Sequence, residues 1–142
     1  MDNPVINYQL VGIELVYMSI ESMPIKGVGT KFTFDLRVEI KVNAQNKLVL
    51  PFVTIKIREA KDNVELAKIG VSCLFLIQDF EKYIVLNEKG LYHVPPVLET
   101  AIRPIAISTA RGVMYSEFKG TYLNHAVLPV VNMTTLKKEE KV

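Results

Sequence analysis

The chain has 142 residues, a formal net charge of +2 and a single cysteine, Cys73. That length suits one domain spanning residues 1–142 with its own buried core, and a hydrophobic fraction of 49% argues against disorder over most of it. The lone cysteine rules out an intrachain disulfide. The longest apolar run, residues 69–77, falls well short of the roughly 20 residues of a membrane span. With no basic patch ahead of an apolar stretch at the N-terminus, the expected setting is the cytoplasm, without membrane insertion.

In chain order, residues 6–20 have strand character with a slip in phase. Ile6, Tyr8 and Leu10 share one phase and Ile13, Leu15 and Tyr17 the other, so a bulge is expected at Val11-Gly12. Residues 23–29, with Pro24, Gly27 and Gly29, predict a loop. The clearest signal is residues 30–42. Phe32, Phe34, Leu36, Val38, Ile40 and Val42 alternate strictly with Lys31, Thr33, Asp35, Arg37, Glu39 and Lys41. Period two with one wet face predicts a strand of an antiparallel sheet.

Residues 43–46 (Asn-Ala-Gln-Asn) close a hairpin into a strand over residues 48–58. Pro51 in that strand has no N–H for a ladder, so it is expected at the strand start, at a bulge or on an edge. After a turn at residues 61–63, a third long strand runs over residues 64–77, with Gly70 as an expected bend or bulge. Beyond Gly70, Val71, Cys73, Phe75 and Ile77 make one face apolar and Leu74 and Leu76 the other. Such a strand end is either covered on both sides or faces another molecule.

Residues 79–90 predict a loop or a short irregular piece. Pro95-Pro96 lies outside any helix interior; a short helix over residues 97–102 and a longer one starting at Pro104 follow. Ile107, Ala110, Met114 and Phe118 recur at helical spacing and Gly120 ends the helix. Gly112 either weakens it or marks a close contact. Residues 121–133 are expected to be extended, and residues 134–142 a frayed tail. The sum is an α+β fold: a four-stranded antiparallel sheet packed with a C-terminal helix. Strands this long leave more apolar sheet than one helix covers, so homo-oligomerisation, as a dimer or tetramer, is expected.

No chemistry emerges from the residues. His93 and His125 have no second ligand at metal spacing, so no metal site is predicted. Cys73 sits in the densest apolar strand, where a thiol is inert. Ser108 and Ser116 lack a nucleophile elbow. Gly27-Val28-Gly29 precedes a strand and cannot cradle a phosphate. Glu99, Arg111 and Glu117 form no acid–base pair. Asn132-Met133-Thr134 fits a glycosylation sequon, but no route to secretion is evident. An enzyme is not expected, nor a cofactor. Lys and Arg are scattered among acids instead of forming a basic stripe, so nucleic-acid binding is not expected.

The order of elements, a bulged strand, three alternating strands and a proline-started helix, resembles the bacterial export chaperone SecB and its shorter, divergent relatives. Gly120, Thr121, Leu128, Pro129, Val131 and Asn132 match the family's post-helix motif, and Pro104-Ile105-Ala106 resembles its helix start. The likeness covers roughly residues 8–133. It implies a tetramer with apolar grooves that hold unfolded or precursor polypeptides, in the family for export, and no cofactor. Candidate polypeptide-binding residues are Phe75, Leu76 and Phe80 at the sheet end, and Tyr115, Phe118, Tyr122, Leu123, Val127 and Leu128 around the helix exit. The family's acidic sheet face recruits the motor SecA. This chain carries Lys31, Arg37, Lys41, Lys56 and Arg58 on its strands, and its end resembles the family's final helix and acidic tail poorly, so SecA docking is not carried over. Two other readings stay open: a SecB-like adaptor dedicated to one partner such as an antitoxin, and a small-molecule or lipid carrier.

Overall fold

A computed structural model describes residues 5–24 and 31–129. Four long strands, β1 (Tyr8–Ile20), β2 (Phe32–Asn43), β3 (Leu48–Glu59) and β4 (Glu65–Ile77), form one antiparallel sheet in the order β1-β4-β3-β2. β2, β3 and β4 form a meander, and β1 lies on the far side of β4, so β1 and β2 are the two edges of a Greek key. One turn of helix, α1 (Phe80–Tyr83), and the short strand β5 (Val85–Leu86) occupy the stretch expected as irregular, and β5 pairs with β6 (Tyr92–His93) just beyond it. The long helix α2 (Pro96–Glu117) then packs chiefly on β3 and β4.

The strict alternation of β2 carries through to the sheet. Phe34 lies opposite Ile57, Leu36 opposite Ile55 and Val38 opposite Val53, all on the helix side. Behind them Val53, Ile55, Ile69, Val71 and Cys73 are fully buried, and α2 adds Leu98, Ile102, Ala106, Ala110 and Met114. Each such Val, Leu, Ile or Met side chain stabilises the fold by about 1.5–3 kcal/mol through loss of apolar contact with water.

Four local expectations change. Pro51 lies inside β3, a central strand, and not at its start or on an edge. The ladder to β4 passes over Leu50 and Pro51, from Val49↔Phe75 to Phe52↔Ser72, so the missing N–H costs the sheet little. Gly70 makes no bulge in β4 itself, where it sits in unbroken register opposite Thr54; the bulge falls across from it in β1, between Leu15 and Tyr17, and its missing Cβ makes room for the Tyr17 and Phe52 rings. There is one helix where two were expected. It begins at Pro96, with Pro95 at the N-cap position, and continues through Pro104. Burial of Ile102, Ala106 and Ile107 on either side of that proline compensates for the hydrogen bond it cannot make.

The chain after α2 is not extended throughout. Residues 121–125 turn, with Gly120 at φ 81, and the segment folds back along the helix. Arg111 Nε donates to the Leu128 carbonyl at 2.8 Å and Nη2 to that of Pro129 at 3.1 Å. The expected loop glycines Gly27 and Gly29, Val131 and Asn132 of the motif, the sequon and the tail 134–142 lie outside the described residues.

Gly112 marks no close contact: a Cβ built there meets no heavy atom within 4 Å. Gly112→Ala therefore raises stability by about 1 kcal/mol through helix propensity alone. A urea midpoint shifted upward at unchanged slope is the expected result.

Candidate functional site

β1 is the one long strand without a buried residue. It pairs with β4, and register shifts between Leu10 and Gly12 and between Leu15 and Tyr17 set the aim of its side chains. Directly opposed residues of an antiparallel pair point to the same face. Tyr8, Leu10, Ile13, Leu15, Met18 and Ile20 lie opposite Ile77, Phe75, Cys73, Val71, Ile69 and Ala67, all on the helix side. The partners on β4 are buried, whereas Ile13 is 50%, Leu15 42%, Met18 38% and Leu10 37% exposed. Because α2 sits over β3 and β4, the helix-side face of β1 is an uncovered apolar stripe, flanked by the exposed bulge residues Val11 and Val16.

The bulge expected at Val11-Gly12 is present. The second, at Val16, was missed because Tyr17 is apolar enough to pass as a member of the Ile13–Leu15 phase. The bulge sends Tyr17 to the opposite face, where it lies over Gly70 and its hydroxyl meets Thr54 Oγ1 at 3.3 Å. Met18 takes the place on the stripe.

Of the nine side chains predicted to bind polypeptide, Phe75, Phe80, Phe118, Leu123 and Leu128 are core, each at most 3% exposed. Tyr8 meets the Phe75 ring edge-on with centroids 5.7 Å apart. Tyr122 is half-buried, and its hydroxyl donates to the Glu21 carbonyl at 2.5 Å, tying the post-helix segment to the end of β1. Burial raises the Tyr122 pKa, with the Glu21 charge adding to the effect. Leu76, Tyr115 and Val127 are exposed. Leu76 stands on the face away from α2, at the opposite end of the sheet from Tyr122 and its neighbours. The fold does not gather the nine into one groove. Sequence spacing selected the most apolar residues, and in a chain this small those fill the core.

Cys73 is fully buried beneath α2, and burial pushes its thiol pKa up from the ordinary 9.0, with the Thr109 hydroxyl partly opposing. A raised pKa favours the neutral thiol. The stability it contributes is whole below pH 9 and is lost as pH rises through the folded value. Above pH 9 the wild-type chain is expected to lose stability more steeply than Cys73→Ala, and a thiol reagent should label Cys73 only at the rate of unfolding. His93 and His125 are exposed, and no group of three or more His, Cys, Asp or Glu side chains among the described residues could hold a metal ion. No helix among the described residues is long and apolar enough to cross a membrane.

A Greek-key sheet with a bulged edge strand, a helix on one face and a strapped-back end define a SecB-like α+β fold, as the sequence resemblance implies. The Mycobacterium tuberculosis SecB-like chaperone Rv1957, solved with a ChAD peptide from the antitoxin HigA1 (Rv1956), superposes with a TM-score of 0.57. The alignment covers 87% of this chain and 90% of that one at 17% identity. No protein-family model matches the chain, and no curated protein matches it in sequence.

Proposed function

We propose that this protein is a SecB-like holdase that binds unfolded segments of other polypeptides, in the cytoplasm and without catalysis. The observation that carries the proposal is the β1 stripe: five large apolar side chains on one face of an edge strand, left open by the helix that covers its neighbours. An edge strand offers unpaired backbone N–H and C=O groups, and the stripe offers side-chain contact beside them. An extended apolar segment can use both. Met18 and Tyr8 suit varied sequences, because a flexible thioether and an amphipathic ring adapt to many partners. The same exposed area supports association of copies of the chain, as a dimer or tetramer.

The test is aggregation of several unrelated denatured proteins with the chain at stoichiometric ratio, paired with an assembly mass by light scattering. A general holdase delays aggregation of all of them, and no delay for any would refute the proposal. A second reading, an adaptor dedicated to one partner, is favoured by the antitoxin peptide held by the mycobacterial structural relative. Protection of one client alone would select it. An export role rests on the sequence resemblance.

A further inference from the structure

The face of the sheet turned away from α2 gathers cations that stand far apart in sequence. Asp35 lies opposite Lys56, and Lys56 lies opposite Lys68, so two lysines are direct neighbours across the central strands β3 and β4. Opposed residues have Cβ atoms roughly 4.5–5.5 Å apart, where like charges repel. Asp35 relieves them only in part. Its carboxylate goes to Arg58 Nη2 at 2.8 Å, and neither lysine has an ion pair among the described residues. Lys68 instead lies over the Tyr17 ring, with Nζ 5.1 Å from the centroid. These side chains line an open cleft of about 550 Å³. Arg37, Lys56, Arg58 and Lys68 there outnumber Asp35 and Glu39.

We propose that this cleft docks an acidic peptide segment of a partner protein, on the opposite face of the sheet from the apolar stripe. Charge complementarity selects the occupant: two lysines held side by side, with no ion pair among the described residues, leave an excess of positive charge that carboxylates can balance. An extended segment places alternate side chains roughly 6.6–6.8 Å apart on one face, so acids at alternate positions can meet the lysine pair and Arg37 together. Residues 137–141 of this chain do not suit, since Lys-Lys-Glu-Glu-Lys has more positive than negative charge. A nucleic acid suits less well. Glu39 lines the cleft and Glu14 shares its face, opposite Ser72, while the Tyr17 and Phe52 rings are already covered by Lys68 and Lys41 and offer no free platform for bases.

The test is fluorescence anisotropy with three labelled probes: an alternating Glu/Ser peptide, its Lys/Ser counterpart, and an oligothymidylate of the same charge as the acidic peptide. The acidic peptide binds, more weakly as salt rises, and the other two do not. Lys56→Gln/Lys68→Gln weakens that binding about tenfold or more while thermal stability holds or rises, because the repulsion is gone. Arg37→Gln, at an exposed position, gives a smaller loss. Aggregation suppression by the double variant stays at the wild-type level, which separates this site from the stripe. Absence of acidic-peptide binding, unchanged affinity in a folded double variant, or equal binding of the oligothymidylate would each overturn the proposal.

Discussion

Replacing Ile13 and Leu15 together by glutamate is expected to abolish client holding while the fold survives. Both side chains stand on the helix-side face of β1, half-exposed, opposite the buried Cys73 and Val71. In the free chain the two carboxylates reach water, and charged residues are common on edge strands, so circular dichroism and thermal stability should change little. A bound apolar segment would strip water from both charges without providing partners. At roughly 2–7 kcal/mol for each unpaired polar group buried, client affinity falls by about 100-fold or more. Light scattering during client aggregation should show protection lost at ratios where the wild-type chain protects fully. Assembly mass on the same samples divides the effect. Unchanged mass assigns the stripe to clients; a fall to the single-chain mass shows that copies of the chain also meet there. Full protection by the variant would exclude the stripe.

Gly70→Ala is expected to cost about 1–3 kcal/mol, and Gly70→Val more, although Gly70 has ordinary strand geometry. A Cβ at this position would stand 2.9 Å from Phe52 Cζ and nearer still to the Tyr17 ring. The two rings lie with centroids 6.1 Å apart above the glycine, each with a lysine over it, so a ring that withdraws from the new Cβ must shift against the other ring and its lysine. Tyr17→Ala removes half of the collision. The loss from Gly70→Ala in that background should be clearly smaller than in the wild type, a coupling that denaturant midpoints of the four chains would reveal. Additive losses would show that the clash is absent and that Gly70 serves some other end.

The strand content, the antiparallel pairing and the β2–β3–β4 meander were legible in the residues. Period-two alternation over residues 32–42 leaves one dry face, and short polar turns at residues 43–46 and 61–63 permit only hairpins. That sheet surface would be left over was legible too, from strand length against a single helix. The location of that surface was not. It depends on β1 lying beside β4 at the far edge and on α2 resting over β3 and β4, both of which are long-range choices. Apolarity along the chain cannot separate Phe118, which fills the core, from Ile13, which faces water.

The cation pair shows the same division. Lys56 and Lys68 read as scattered charges, and only the β3–β4 register makes them neighbours. By itself the sequence determined which residues form the four long strands and, in β2 and β3, which face is dry, because side-chain alternation is a property of the local backbone. The tertiary structure alone decided which dry face stays uncovered and which charges meet. Those outcomes depend on strand order and helix placement, which are settled by contacts between residues far apart in the chain.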